Sequence, residues 1–429
     1  MDKNALIEEA CQELLEYGVW DGKKRIKFLV KKYLLKKKAA PEDLIFWPTG
    51  LLAAGLWHCR RELSGGGAVP GPEKLNTERL NTEELNIERL KNEGSNTGEP
   101  KTEGLNTERL KTERSNAEKP KAEGSNKEEL KSGDAEKEKT AAAMIDLVLS
   151  AYYERWFRKG CPIIWLDDLL AGETLLDLYE EYRKKGPDNG VIDAKDMEKY
   201  RQAVEKIADF GLSYPTDETG SFPYRADQDN GFVFVDSIGL ACPFLYRYGT
   251  AHDRPEAMET AVKQIVNFLA YGMDAATGLP YHGYSVADDC KYGIIGWGRA
   301  VGWLLRGMGG CMATQYGADR LSEPYGRLVD AVIAFQRRDG SFAWQLQAAD
   351  GPADTSAAGM ICAALKQGME LGVLEGAVYE QAFQAGKSAI EKSVRNGRVY
   401  NCSGECEGFG QYPQRYGSYP WALGPALML

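Results

Sequence analysis

Apolar residues recur three and four positions apart along most of this chain, the spacing that gathers side chains on one face of a helix. Two kinds of helical segment alternate. One kind sets an apolar face against a charged one: residues 4–17, 140–158, 194–210, 255–271, 321–337 and 378–390. The other is rich in Gly, Ala and Leu and carries few charges: residues 48–59, 168–182, 236–248, 298–311, 354–368 and 419–429. A helix that is apolar nearly all round is buried, whereas one with a charged face lies outside. Loops containing Gly and Pro separate the segments. Six outer helices alternating with six inner ones predict an all-α fold, an (α/α)6 barrel in which consecutive helices run antiparallel.

Two stretches fall outside that alternation. Residues 23–37 form a basic segment whose Ile26, Leu29, Val30, Tyr33 and Leu34 share one helical face, and its lysines read as a solvated face. From Leu75 to about Lys131 the chain repeats every five residues, as in LNTER, LNTEE and LNIER. A five-residue step turns each leucine by about 140° around a helix, so the leucines make no stripe. The window 73–139 holds 17 acidic and 14 basic residues and no aromatic. Such a composition cannot offset the entropy of ordering its backbone, so a disordered low-complexity insert is expected over residues 65–138. The barrel is then divided into residues 1–64 and 139–429. The insert follows the end of the first inner helix and is expected to hang from the end of the barrel away from the inner-helix starts.

Antiparallel alternation places every inner helix start at one end. Phe46 and Trp47, Asp167 and Asp168, Asp236, Trp297 and Arg299, Asp354 and Thr355, and Tyr419 and Trp421 therefore converge on one mouth. Helix N-termini add positive dipole ends and free N–H groups there, which favour an anionic ligand.

Composition narrows the class. Hydrophobic residues make up 43% of the 429, enough for a large core, and no apolar run is long enough to span a membrane. A net charge of −10 disfavours nucleic acid as a partner. The nine cysteines include no C-x-x-C pair, and only three histidines exist, so neither a disulfide framework nor a metal site is indicated. The first residues lack the basic-then-apolar pattern of a secretory leader. The expectation is a soluble cytoplasmic protein needing no cofactor and touching neither nucleic acid nor membrane.

Asp236 lies in GFVFVDSIGLACPFL, and Asp167 and Asp168 in IIWLDDLL, each flanked by apolar residues that can raise a carboxyl pKa. Paired carboxylates at one mouth suit sugar chemistry, although each aspartate also suits a helix N-cap; of Asp167 and Asp168, one is expected to cap and the other to face the mouth. His282 sits in a Gly-rich loop, GLPYHGY. In WGRAVGW, Trp297 and Arg299 open a helix and Trp303 lies one and a half turns on. Indole faces stack on sugar rings, and a guanidinium pairs with a carboxylate or an aromatic face.

The elements LDDLLAGETLLDLYEEY, VFVDSIGLACPFLYRYG, TGLPYHGY, WGRAVGW, ADTSAAGMICAAL and YPWALGPALM, in that order, resemble the unsaturated rhamnogalacturonyl hydrolases of glycoside hydrolase family 105, which are related to the family 88 unsaturated glucuronyl hydrolases. The resemblance spans the chain outside the insert and the basic segment, and implies an (α/α)6 barrel. It implies a substrate whose non-reducing sugar is a 4,5-unsaturated uronic acid, hydrated at the C4=C5 vinyl ether so that the product collapses and frees the next sugar. By resemblance Asp236 is the catalytic acid/base and Asp167 the second catalytic aspartate. Asp168, Arg225, His282, Trp297, Arg299, Trp303 and Trp47 are the expected substrate contacts. No metal or cofactor is implied.

One departure stands out. Where the family carries a His-Lys pair about ten residues before the catalytic aspartate, this chain has Tyr224 and Arg225, in SFPYR. The segment CSGECEGFG, residues 402–410, is also particular to this chain and reads as a rim shaping the subsite of the leaving sugar. Two other readings stay open from the residues: another glycosidase or a sugar epimerase on the same barrel, and a non-catalytic carbohydrate-binding protein that uses the insert for interaction.

Overall fold

The computed structural model describes residues 1–17, 44–64, 127–186, 194–226, 231–407 and 410–429, with isolated positions between 19 and 30. Among the described residues twelve α-helices follow one another: α1 (Lys3–Glu16), α2 (Trp47–Leu63), α3 (Lys127–Phe157), α4 (Leu169–Lys185), α5 (Ala194–Leu212), α6 (Val235–Ala251), α7 (Pro255–Tyr271), α8 (Gly298–Gly310), α9 (Gln315–Ile333), α10 (Thr355–Glu370), α11 (Ala377–Glu391) and α12 (Pro420–Ala426). Cα packing groups Met1–Gly71 with Ala141–Leu429 as one unit and Pro72–Thr140 as another. Of the second unit, only the opening of α3 is described. The predicted basic helix at 23–37 and the placement of the insert lie outside the described residues.

The even-numbered helices close a ring, each packed against the next, with α12 returning to α2. Along α6, Ile238, Leu240, Ala241, Phe244, Leu245 and Tyr246 are all buried, whereas α7 buries chiefly Ala257, Ala261, Val262, Ile265 and Phe268 along one stripe. The ring closes through backbone contact. A Cβ on Gly55 of α2 would lie 2.4 Å from the Gly424 carbonyl oxygen of α12, so only glycine lets these helices meet. The odd-numbered helices lie outside: α1, α5, α7, α9 and α11 each pack on an inner neighbour. Tyr152 and Tyr153 tie α3 inward, sharing a hydrogen bond with Thr49 at 2.8 Å and donating to the Ala171 carbonyl at 2.6 Å. The architecture is an (α/α)6 barrel.

Local chemistry explains several helix starts. Asp2 accepts from the Ala5 N–H at the head of α1, and Asp354 from the Ser356 N–H at the head of α10. Pro48, Pro255 and Pro420 occupy first-turn positions, where a missing N–H costs nothing. Predicted and observed spans agree closely, except that α3 starts at Lys127, thirteen residues before its predicted start and within the stretch expected to be a disordered insert, α9 starts earlier, at Gln315, with Pro324 inside it, and α12 stops at Ala426.

The inter-helix loops carry short strands that the helical periodicity did not announce: β1 (Val233–Phe234), β2 (Gly283–Ser285), β3 (Cys290–Tyr292), β4 (Val394–Arg395), β5 (Arg398–Val399), β6 (Cys402–Ser403) and β7 (Tyr416–Gly417). β1, β2 and β3 form one antiparallel sheet, and β4–β5 and β6–β7 form two further pairs. No helix among the described residues is long and apolar enough to cross a membrane.

Candidate active site

Two cavities lie at opposite ends of the barrel. The larger, about 690 Å³, is lined by residues along the inner helices from Leu51 to Glu62, Glu173 to Asp177, Pro243 to Arg247, Arg306 to Gly310 and Met360 to Glu370. Six of its charged residues pair with one another: Arg306 with Glu173 at 2.7 Å, Arg247 with Asp177, and Lys366 with Glu62 at 3.3 Å. The smaller, about 200 Å³, lies at the inner-helix starts and is lined by Trp47, Tyr224, Arg225, Phe234, Asp236, His282, Trp297, Arg299, Trp303, Glu405 and Cys406. It is the candidate site, because carboxylate, imidazole, guanidinium and indole groups meet there in a space the size of one sugar ring.

The small sheet builds its centre. β1 runs directly into α6 and pairs with β2 in the register Val233↔Tyr284 and Phe234↔Gly283. The next step brings the Val235 N–H to the His282 carbonyl at 2.9 Å. Asp236, in the first turn of α6, thereby meets His282: Nε2 lies 3.1 Å from Oδ2. Asp236 keeps 18% of its side chain open to the cavity, while His282 is buried between Phe234 and Trp297.

Of the two adjacent aspartates, the structure turns Asp168 into its own backbone. Its Oδ2 accepts from the N–H groups of Ile164 and Trp165, at 2.6 and 3.1 Å, and the residue is fully buried. Asp168, expected among the substrate contacts, caps the turn Leu166–Asp168 and is not among the residues lining the cavity. Asp167 accepts from the Tyr224 hydroxyl at 3.1 Å and stands behind that ring, not on the cavity wall. Burial, with Asp167 and Asp236 nearby, holds the Tyr224 phenol well above its ordinary range, so it remains a donor. Arg225 lines the cavity with its guanidinium 4.0 Å above the Trp165 ring, and its Nη1 has no hydrogen-bond partner among the described residues.

Arg299 differs from expectation. It reaches the cavity, but Nη1 donates to Ser356 Oγ and to Ser403 Oγ and its carbonyl, and Nη2 donates to the Gly404 carbonyl at 2.9 Å. The guanidinium is thus committed to holding the segment after β6. Asp354 secures the same segment, accepting from Ser403 Oγ at 2.6 Å and from the Ser403 N–H at 3.1 Å. Trp303 is buried beneath Trp47, edge-on at 6.0 Å, and Trp47 leans on Trp421 at 4.9 Å.

The segment between β6 and β7 contributes residues that helical periodicity could not single out. Glu405 and Cys406 line the cavity. Burial raises the Glu405 carboxyl above its ordinary range against the opposing pull of Arg299, and pushes the Cys406 thiol up to about 12. Tyr412 places its hydroxyl 2.7 Å from His282 Nδ1. The other histidines are remote: His58 pairs with Glu62 beside the larger cavity, and His252 stacks on Tyr248 at the end of α6.

Residues 137–429 match the family model described as Glycosyl Hydrolase Family 88. The 24.9 kDa protein in picA locus of Rhizobium radiobacter is 31% identical over 164 residues, which is 35% of this chain and 70% of that protein. Among solved structures, a possible member of the GH105 family from Salmonella enterica superposes with a TM-score of 0.65 at 14% identity, covering 100% of this chain and 92% of its own. A possible GH105 member from Klebsiella pneumoniae gives 0.59 at 16% identity, with 66% and 74% covered. An unsaturated glucuronyl hydrolase specific for heparin gives 0.51 at 15% identity, with 68% and 79% covered.

Proposed function

The chain belongs to glycosyl hydrolase family 88, and from that footing we propose that it releases a 4,5-unsaturated uronic acid from the non-reducing end of lyase-generated oligosaccharides, of the unsaturated rhamnogalacturonyl type. The observation that carries the proposal is Asp236. It is a partly open carboxyl at the first turn of α6, paired with a buried imidazole in a cavity one sugar ring wide and faced by a guanidinium.

In this reading Asp236 gives its proton to C4 of the unsaturated ring, and water adds at C5. The vinyl ether becomes a hemiketal, which opens and expels the next sugar, so that one water is consumed and one glycosidic bond is lost. A positioned carboxyl in a site walled by Trp47, Trp297 and Trp303 gains rate from proximity. Arg225 supplies the charge that pairs with the uronate carboxylate. Its stacking on Trp165 holds the guanidinium plane in place, and its free Nη1 is the donor such a ligand satisfies. Asp167 acts through Tyr224, orienting a hydroxyl that faces the ring. Glu405 and Cys406 border the space for the leaving sugar. All nine cysteines are free thiols, which suits a reducing compartment such as the cytoplasm.

The test is a panel of unsaturated disaccharides made with pectin and glycosaminoglycan lyases, followed by loss of the ultraviolet absorbance of the C4=C5–carboxylate chromophore. Turnover fastest on the unsaturated galacturonyl-rhamnose unit supports the rhamnogalacturonyl assignment. Turnover fastest on a glycosaminoglycan disaccharide reassigns the substrate and keeps the chemistry. No turnover on any member overturns both.

A further inference from the structure

Tyr412 enters the site from the irregular segment between β6 and β7, and its hydroxyl oxygen does two things. It accepts the Ile294 N–H at 3.4 Å and lies 2.7 Å from His282 Nδ1. With a donor already on that oxygen, the hydroxyl proton is free to be given, and Nδ1 is the acceptor beside it. Burial holds the phenol well above its ordinary range, so the proton is present at neutral pH. A neutral imidazole that accepts at Nδ1 carries its hydrogen on Nε2. Nε2 faces Asp236 Oδ2 at 3.1 Å.

The surroundings favour this arrangement. The imidazole is 4% exposed, with ring centroids of Phe234 and Trp297 at 4.9 and 4.7 Å, so bulk water does not compete for its nitrogens. Gly293, at φ 78°, permits the approach: a Cβ there would lie 2.5 Å from the Tyr412 hydroxyl and 2.6 Å from His282 Cβ.

We infer that Tyr412 is a positioning residue whose hydroxyl fixes His282 as the neutral Nε2–H form, and thereby leaves Asp236 able to hold the proton it delivers. The inference rests on Asp236 being the proton donor. With one proton to share, the Asp236–His282 pair has two arrangements: a carboxylic acid beside neutral imidazole, or a carboxylate beside imidazolium. In the first, Oδ1 bears the proton and Oδ2 accepts from Nε2–H. The second needs a hydrogen on Nδ1, directed at a Tyr412 oxygen that already accepts the Ile294 N–H. The other groups around the ring are the cations Arg225 and Arg299, the acids Glu405 and, behind Tyr224, Asp167, and the titratable Tyr224 and Cys406.

The chain contains three histidines, so selective ¹⁵N-histidine labelling of the full protein yields three imidazoles to resolve by nitrogen-detected tautomer NMR, with His282→Gln as the assignment control. The wild type is expected to show His282 protonated at Nε2 and bare at Nδ1 at neutral pH. An Nδ1–H form or an imidazolium overturns the inference without any variant. In Tyr412→Phe, Nδ1 is released, and its resonance is expected to leave the bare-nitrogen position as an Nδ1–H form becomes populated. On an unsaturated disaccharide, kcat should fall about tenfold with KM little changed, and the basic limb of the kcat profile should move to higher pH. A variant that is slower but keeps the wild-type Nδ1 resonance and pH profile also overturns it. Because the wild-type spectrum needs no substrate, absent turnover beside an intact Nε2–H signal refutes the proposed function alone.

Discussion

Asp167 and Asp168 are adjacent and chemically identical, but the backbone gives them separate tasks. The turn before α4 points one carboxylate back at the Ile164 and Trp165 amides and the other at Tyr224. The expectation that one caps and one faces the mouth is met for Asp168 as the cap, while Asp167 stops one ring short of the cavity. Side-chain direction within a tight turn depends on dihedral angles that spacing does not encode. Glu405 carries a pH signature. Its carboxyl is raised in the folded protein, so the folded state binds its proton more tightly than the unfolded chain does. The contribution to stability is full below the ordinary glutamate range, about 4.3, and is lost as the pH rises through the raised value. Glu405→Gln is therefore expected to melt close to wild type at pH 4 and above wild type at pH 8. Equal melting differences at the two pH values would contradict the burial argument.

At the scale of elements, the helices were legible because each spans several turns, and the contrast between charged and Gly/Ala-rich stretches repeats six times. Trp297, Arg299 and Asp236 could be placed at the inner-helix starts for the same reason. Tyr412 was assigned no role, and Glu405 and Cys406 were read only collectively, as part of the rim at 402–410, because the segment between β6 and β7 has no period. It is fixed by contacts remote in sequence, such as Arg299 with Gly404. Strands of two or three residues, such as β1, are too short to display alternation. Between helices, Arg60 of α2 joins Asp146 of α3 and Glu181 of α4, each at 2.8 Å, from a buried position. Arg60→Ala should cost about 2 kcal/mol in a urea melt, because the partly buried Asp146 loses its counter-charge while Glu181 keeps only Lys185. Arg201→Ala, on the exposed face of α5, should leave the urea midpoint close to that of wild type, because solvent screens its pairs. Equal losses would show that the Arg60 cluster adds no more than a surface pair.

For the whole molecule, closure of the inner ring is the decisive event. The last helix, α12, packs on α2 and α10 and brings Trp421 against Trp47, with its Nε1–H on the Ser403 carbonyl at 2.9 Å. One short segment thus completes the core and anchors the rim of the site. Removing residues 420–429 is expected to abolish cooperative thermal unfolding, as followed by near-ultraviolet circular dichroism; a truncated chain that still melts in one sharp transition would contradict this. The barrel could be read from periodicity because alternation of buried and amphipathic helices is a global pattern. The insert could be read only as composition, and its expected placement lies outside the described residues.

The central claim is that Asp236 delivers the proton that begins hydration, and the most direct measurement compares wild type with Asp236→Asn on the preferred unsaturated disaccharide. The account predicts that wild type removes the C4=C5 absorbance, while the variant, isosteric and with an unchanged far-ultraviolet spectrum, loses at least about a thousandfold in kcat. Turnover by Asp236→Asn within about tenfold of wild type would contradict it and remove Asp236 from the chemistry.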